Sequence, residues 1–214
     1  MNNRRLATWG IALIAAPVLA APVKAEIIAY WNFNTTPGSL YSWTADQGSG
    51  TLTADAAWTQ LSVTAGTTLN SEIPDPAGGA LGLKSNDNNG LTMDFAVDTT
   101  GYEDIILSFS STRNNQGFDV NSILFSTDGV NYTSFSTFDP SNGSYGLIIA
   151  DMSSAAALND AGTIFIQLLF GGAQNNNGTT SLDNVRIVGT LIPAPGALAL
   201  LGAAGLIATR RRRR

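Results

Sequence analysis

Neither cysteine nor histidine occurs in the 214 residues. Without thiols there is no disulfide, and cysteine usage leaves no mark of a redox compartment. Ser-His-Asp and Cys-His nucleophilic centres are excluded, as are zinc sites of the usual nitrogen and sulfur ligands. Positive charge is scarce as well. Eleven Lys and Arg stand against 16 Asp and Glu. Eight of the eleven lie at the two ends: Arg4, Arg5 and Lys24, then Arg210 to Arg214. Between them only Lys84, Arg113 and Arg186 oppose all 16 acidic residues, a net charge of −13. Such a surface repels nucleic-acid phosphate and anionic lipid, so nucleic acid is no partner. Glutamate is limited to Glu26, Glu72 and Glu103. Among the aspartates, Asp75, Asp87, Asp128 and Asp139 stand in Asp-Pro, Asn-Asp or Asp-Gly contexts that form turns. A carboxylate pair acting on a glycosidic bond is the one hydrolase chemistry left open. The expectation is a protein that is not an enzyme.

What is present begins with the ends. Met1-Asn-Asn-Arg4-Arg5 is basic, Leu6 to Leu19 is almost wholly apolar, and Val23-Lys24-Ala25 offers the small residues that signal peptidase needs. Residues 1–25 therefore read as a secretory signal helix cleaved after Ala25, with Ala21 the second choice. At the other end stand Ile192, Pro193, Ala194 and Pro195. An uncharged run, Gly196 to Ala208, follows, and then Arg210, Arg211, Arg212, Arg213 and Arg214. Proline fixes φ and lacks a donor, so the motif is extended and open to a processing enzyme. The run from Leu191 to Ala208 is near the short limit of a membrane helix, about 20 residues. The arginines hold the chain end on the cytoplasmic side.

This order, Pro-bearing motif, apolar run and arginine cluster, resembles the PEP-CTERM sorting signal of Gram-negative bacteria. It is the Pro-Ala-Pro variant, with Ala194 where the family name has Glu. The resemblance implies cleavage by an exosortase, passage through the secretion machinery and transient anchorage in the inner membrane by a C-terminal transmembrane helix. Delivery to the cell surface or extracellular matrix would follow. A plain tail anchor is the alternative.

Residues 26–190 form one body of ordinary domain size. Ile27 to Phe33 reads as an opening strand. Leu91, Met93, Phe95 and Val97 alternate with Thr92, Asp94 and Ala96, the period of a half-buried strand. Ile105, Leu107 and Phe109 repeat it. Ser122 to Ser126 and Tyr132 to Phe138 flank Asp128-Gly129, a hairpin signal. Tyr145 to Ala150 is another strand. Thr163 to Gly171, apolar on both faces, is expected to be central, and Ser181 to Gly189 closes the body. Only Ser153 to Leu158 looks helical. The 191–214 segment is the tail. Many short strands with Gly, Asn, Asp and Ser turns predict an all-β sandwich. Tyr30-Trp-Asn-Phe-Asn34, Phe125 to Thr133 and Leu182-Asp-Asn-Val-Arg-Ile187 are similar to the jelly-roll domains of carbohydrate-binding modules.

Two candidate sites follow. Trp43, Trp58, Tyr132 and Tyr145 are the aromatics whose rings could stack on sugar, if exposed on one face; core packing is the alternative. The jelly-roll resemblance implies a structural Ca²⁺ between first and last strands, where Asn32, Asn34 and Asp183 are the residues to test. Turn and ladder hydrogen bonding is the alternative there. The expected function is a structural or adhesive surface protein. A carbohydrate-binding module with extracellular polysaccharide as partner is second, and a carboxylate glycosidase third.

Overall fold

A computed structural model describes residues 25–36, 39–72 and 74–193. The signal segment before Ala25 lies outside the described residues, and so does the tail from Ala194 onward, with Pro195 and Arg210 to Arg214. No described helix is long and apolar enough to cross a membrane. Fourteen strands occur among the described residues. They are β1 (Ala25–Trp31), β2 (Ser42–Thr44), β3 (Gln47–Gly48), β4 (Gly50–Ala54), β5 (Ser62–Ala65), β6 (Gly79–Lys84) and β7 (Thr92–Asp98). The second half adds β8 (Tyr102–Arg113), β9 (Asn121–Ser126), β10 (Thr133–Phe138), β11 (Ser141–Asn142), β12 (Gly146–Asp151), β13 (Thr163–Leu169) and β14 (Thr179–Leu191). The expected helix at 153–158 shrinks to one 3₁₀ turn, Ala156–Leu158.

The strands make two sheets. The first runs β11-β8-β14-β1-β3, with β12 also on β8 and with β6 and β5 extending from β14. The second runs β10-β9-β13-β7-β4-β2. Every described pairing is antiparallel except β11 on β8. Alternation decides which side chains meet between the sheets. Met93, Phe95 and Val97 of β7 and Ile164, Ile166 and Leu168 of β13 are buried from one side. Ile105, Leu107 and Phe109 of β8 and Leu182, Val185 and Ile187 of β14 are buried from the other. Each such side chain contributes about 1.5–3 kcal/mol by leaving water. Trp58, Phe118 and Phe170 add a mutual cluster of edge-to-face rings with centroids 5.8–5.9 Å apart. The molecule is thus an all-β sandwich of two sheets.

Two local features set up everything outside the core. The first is a bulge in β14. Asp183 pairs with Ser110 and Arg186 with Ser108, so three steps on β14 match two on β8. Asn184 takes up the extra residue at φ 48°, a left-handed conformation that Asn tolerates better than most residues. The bulge lets two consecutive polar residues, Asp183 and Asn184, leave the core side together while Leu182 and Val185 stay in it. The second feature is the 66–72 segment, which lies as a strap over the outer face of the first sheet. Asn184 Nδ2 donates to the Thr67 and Leu69 carbonyls at 2.6 and 3.0 Å. Asn70 Nδ2 donates to the Asn184 carbonyl at 2.7 Å. Tyr30 Oη donates to Asn184 Oδ1 at 2.7 Å and accepts from the Glu72 amide at 3.2 Å. Buried polar groups need such partners, and here the bulge and the strap supply them to each other.

Candidate functional site

The predicted aromatic set divides. Trp43 and Trp58 are 4% and 1% exposed. Trp43 pairs with Leu52, and Leu52 with Phe95, in one inward row. Its Nε1 donates to the Leu40 carbonyl at 3.1 Å, and Trp58 Nε1 donates to the Thr92 carbonyl at 2.8 Å. Both rings are therefore core, the packing alternative, and are not available to stack on sugar: burial and satisfied indole N–H groups leave no free face. Tyr145, half-buried, is tied to the first-sheet side by a 2.6 Å hydrogen bond to the Ala65 carbonyl. Burial, with the Asp183 charge nearby, raises its pKa.

Tyr132 behaves differently. Its hydroxyl reaches across the outer face of the second sheet to Asp94 Oδ1 at 2.7 Å. Gln167 Nε2 donates to the same oxygen at 3.0 Å. Burial, then the Asp94 contact, raises the Tyr132 pKa and keeps its proton in place. The strand registers put these residues in one line: Thr53 pairs with Asp94, Asp94 with Gln167, Gln167 with Leu124, and Leu124 with Ser134. A neighbouring row runs Thr51, Ala96, Phe165, Ser126. The expectation that β13 is central holds, because β9 and β7 flank it. Its outer side chains, Phe165, Gln167 and Leu169, are only half-buried, since no layer among the described residues covers this face.

The Asp128-Gly129 turn between β9 and β10 borders the face. Hydrogen bonds from Asn131, Val130 and Ser126 hold the Asp128 carboxyl well below the usual carboxylate range. Gly129, at φ 71°, lies so close to Phe165 that a Cβ there would sit 3.1 Å from its ring. The turn is thus fixed against the ring edge. A planar carboxylate, a planar amide, a phenol and a partly exposed phenyl ring share one open sheet surface. Such groups hydrogen-bond adjacent hydroxyls and carry apolar C–H surface.

The predicted cation set does not form one oxygen cage. Asn32 Oδ1 accepts from the Asn34 amide at 2.9 Å, and Asn32 Nδ2 donates to Asp75 Oδ2 at 3.1 Å. Asn34 Oδ1 accepts from the Gly79 amide at 2.8 Å. Asp183 takes the Thr67 amide at 2.7 Å and the Asn184 amide at 2.8 Å. Gly66 fills the space beside it: a Cβ there would be 2.7 Å from Asp183 Oδ2. Backbone donors thus stand where a cation's charge was expected. Among the described residues no group of three or more Asp, Glu, His or Cys is placed to hold a metal. Asp183, fully buried, has its pKa pushed up to about 7 by desolvation, against the pull of those two amides.

Of the sorting motif, only Ile192 and Pro193 are described. β14 ends at Leu191, opposite Tyr102, and the Ile192 amide donates to the Gly101 carbonyl at 2.9 Å. Ala25, the predicted cleavage residue, is the first residue of β1 and pairs with Thr190. The two ends of the body thus leave it side by side.

Sequence reasoning missed Asp94, Gln167 and Phe165. Their signal was the polar phase of the 91–97 alternation and the one amide inside an otherwise apolar β13.

No family match and no curated relative is found for the chain. Several solved structures are similar in outline. The CBM22-1 xylan-binding domain of Paenibacillus barcinonensis Xyn10C aligns over 81% of this chain and 99% of its own, at 12% identity and TM-score 0.48. The xylan-binding module CBM15 aligns over 71% and 98%, at 14% identity and TM-score 0.45. TmCBM61, solved with beta-1,4-galactotriose, aligns over 64% and 86%, at 11% identity and TM-score 0.40. At such identities these are likenesses of outline alone, and any functional reading rests on the face itself.

Proposed function

We propose that this chain is a secreted, non-catalytic jelly-roll protein of the bacterial surface or matrix that holds neutral polysaccharide on the outer face of its second sheet. One observation carries the reading. Asp94 Oδ1 receives both Tyr132 and Gln167, while no described group donates to Oδ2, on a sheet face left open to solvent. Oδ2 and the amide oxygen of Gln167 are acceptors in fixed positions, and preorganised acceptors cost little ordering on binding. Tyr132 and Phe165 supply ring surface for the sugar's C–H face. The tail sequence supports sorting by an exosortase, which would release the body from the membrane at the motif beginning Ile192, Pro193.

Affinity electrophoresis of the purified protein in gels of neutral polysaccharides tests the binding reading. Wild type is retarded by at least one of them, and Asp94→Ala and Gln167→Ala run unretarded. Retardation that survives both substitutions overturns this use of the face. Mass spectrometry of protein isolated from its own host tests sorting. The processed form lacks Arg214; a mature protein that keeps Arg214 points to a plain anchor.

A further inference from the structure

We infer that the chain has a second sugar-binding site, a groove on the opposite side of the sandwich, built around Arg186 and Glu72. The groove encloses about 730 Å³, within the usual range for small-molecule sites. Its floor is a cross-strand row. Gln47 pairs with Tyr30, Tyr30 with Arg186, and Arg186 with Ser108, so these four residues share the outer face of the first sheet. Ile27 and Val188, also paired, give the adjoining apolar wall. The strap closes the other side through Glu72.

The guanidinium of Arg186 is used unevenly. Nη2 alone serves Glu72 Oε1, the Asn70 carbonyl at 3.3 Å and the Ser71 carbonyl at 3.4 Å. Nη1 has no protein acceptor among the described residues. Nε is buried and is the one buried side-chain nitrogen or oxygen there without a hydrogen-bond partner. A guanidinium carries five donors in a fixed fork, and those on Nη1 and Nε lack an acceptor among the described residues. Arg186 and Glu72 are 26% and 32% exposed, within reach of a ligand entering the groove. Gln47, exposed, adds a free amide on the same row.

The charge balance selects the ligand. Glu26 and Glu72 both line the groove beside one arginine, which disfavours phosphate, sulfate and uronate. What remains suited to the free Nη1 donors, a carboxylate and an amide is a neutral sugar. Its vicinal hydroxyls accept from Arg186 and donate to Glu72, and its C–H face rests on Ile27 and Val188. The two outer faces of a sandwich point in opposite directions. A chain with sugar on both can bridge two polysaccharide strands; that bridging, though not the groove itself, rests on the binding proposed for the Asp94 face.

Side-chain ¹⁵N NMR of the full chain tests the proposal. The probes are neutral glucose-, xylose- and galactose-based oligosaccharides at about 10 mM, suited to weak sites. Gln47 is the residue to substitute, because its side chain makes no hydrogen bond among the described residues and its loss spares the fold. The Arg186 Nε–H and Gln47 amide signals shift with at least one probe. Gln47→Ala weakens that response about tenfold, and Asp94→Ala leaves it intact. Unmoved Arg186 and Gln47 signals with every probe overturn the groove, and so do shifts that vanish in Asp94→Ala. Failure of the other face looks different: groove signals move while the Gln167 amide stays still.

Discussion

The two outer faces of this sandwich put a carboxylate to opposite uses. On the first sheet, Asp183 lies under the strap, fully buried, with both oxygens held by backbone amides. On the second sheet, Asp94 stands on an uncovered surface and receives two side-chain donors on one oxygen. The covered face is paired inward and serves the fold: Tyr30, Asn70, Asn184 and Glu72 tie strap to sheet. The open face is paired sideways, between side chains of one layer, and keeps acceptor capacity outward. Burial turns a polar residue into structure, and exposure with a fixed neighbour leaves an acceptor free for a ligand. Substitutions of the residues tied beneath the strap should therefore be read out as stability, and those on the open second sheet as binding.

The largest expected effect tests the first half of that contrast. Asn184→Ala removes the acceptor for Tyr30 and both strap donors, and puts alanine at φ 48°. Leaving buried groups unpaired costs about 1–3 kcal/mol each, and partial rescue by water brings the expected loss to about 3 kcal/mol. Urea denaturation measures it. A loss under about 0.5 kcal/mol, as for an ordinary surface change, makes the strap a loose loop and dissolves the contrast.

The next effect is a pH dependence. The Asp183 pKa is raised in the folded state, to about 7 from 3.8. The folded chain therefore holds a proton that the unfolded chain has released. Stability from this group is full below pH 3.8 and is lost as pH rises toward 7. The loss is on the order of 2–4 kcal/mol. Thermal melts show a falling Tm from about pH 4 to about pH 7 in wild type, and a flatter profile in Asp183→Asn. Calcium is the informative addition. With backbone amides on both carboxylate oxygens, millimolar Ca²⁺ raises Tm no more than Mg²⁺ at equal ionic strength. A calcium-specific rise abolished by Asp183→Asn restores the cation at this position.

How far the sequence reveals this contrast depends on the element. Strands with strict alternation, such as 92–98 and 163–169, and the Asp128-Gly129 hairpin, are legible because period and turn chemistry are local. The strands between Ser42 and Lys84 are not. Several have only two to five residues, and their phase is set by partners far along the chain, as when Leu52 meets Phe95. Trp43 looks like an exposed loop aromatic for the same reason, and Trp58, in the loop after β4, is buried by Phe118 and Phe170 from far along the chain. The strap was invisible, since Thr67 to Glu72 has no pattern of its own and is ordered by Asn184, more than 110 residues away. Asp94 and Gln167 could be assigned to an outer face from alternation; that they share one oxygen needed the register of β7 against β13.

The smallest expected change in stability belongs to the open face, and it decides the second half of the comparison. Asp94→Ala deletes an acceptor whose two donors, Tyr132 Oη and Gln167 Nε2, are only partly buried and can turn to water. Stability should therefore change by less than about 0.5 kcal/mol. Binding should not be spared in the same way. The acceptor and the two groups it orients are lost together, so affinity for the retained polysaccharide should fall at least tenfold, about 1.4 kcal/mol. Asp94→Asn separates two causes. It keeps an oxygen for Tyr132 but offers an N–H₂ in place of Oδ2. If Oδ2 accepts directly from sugar, Asn is nearly as damaging as Ala. If Asp94 serves only to orient Tyr132 and Gln167, Asn restores most of the affinity. A stability loss in Asp94→Ala comparable to that of Asn184→Ala would mean that both faces are structural.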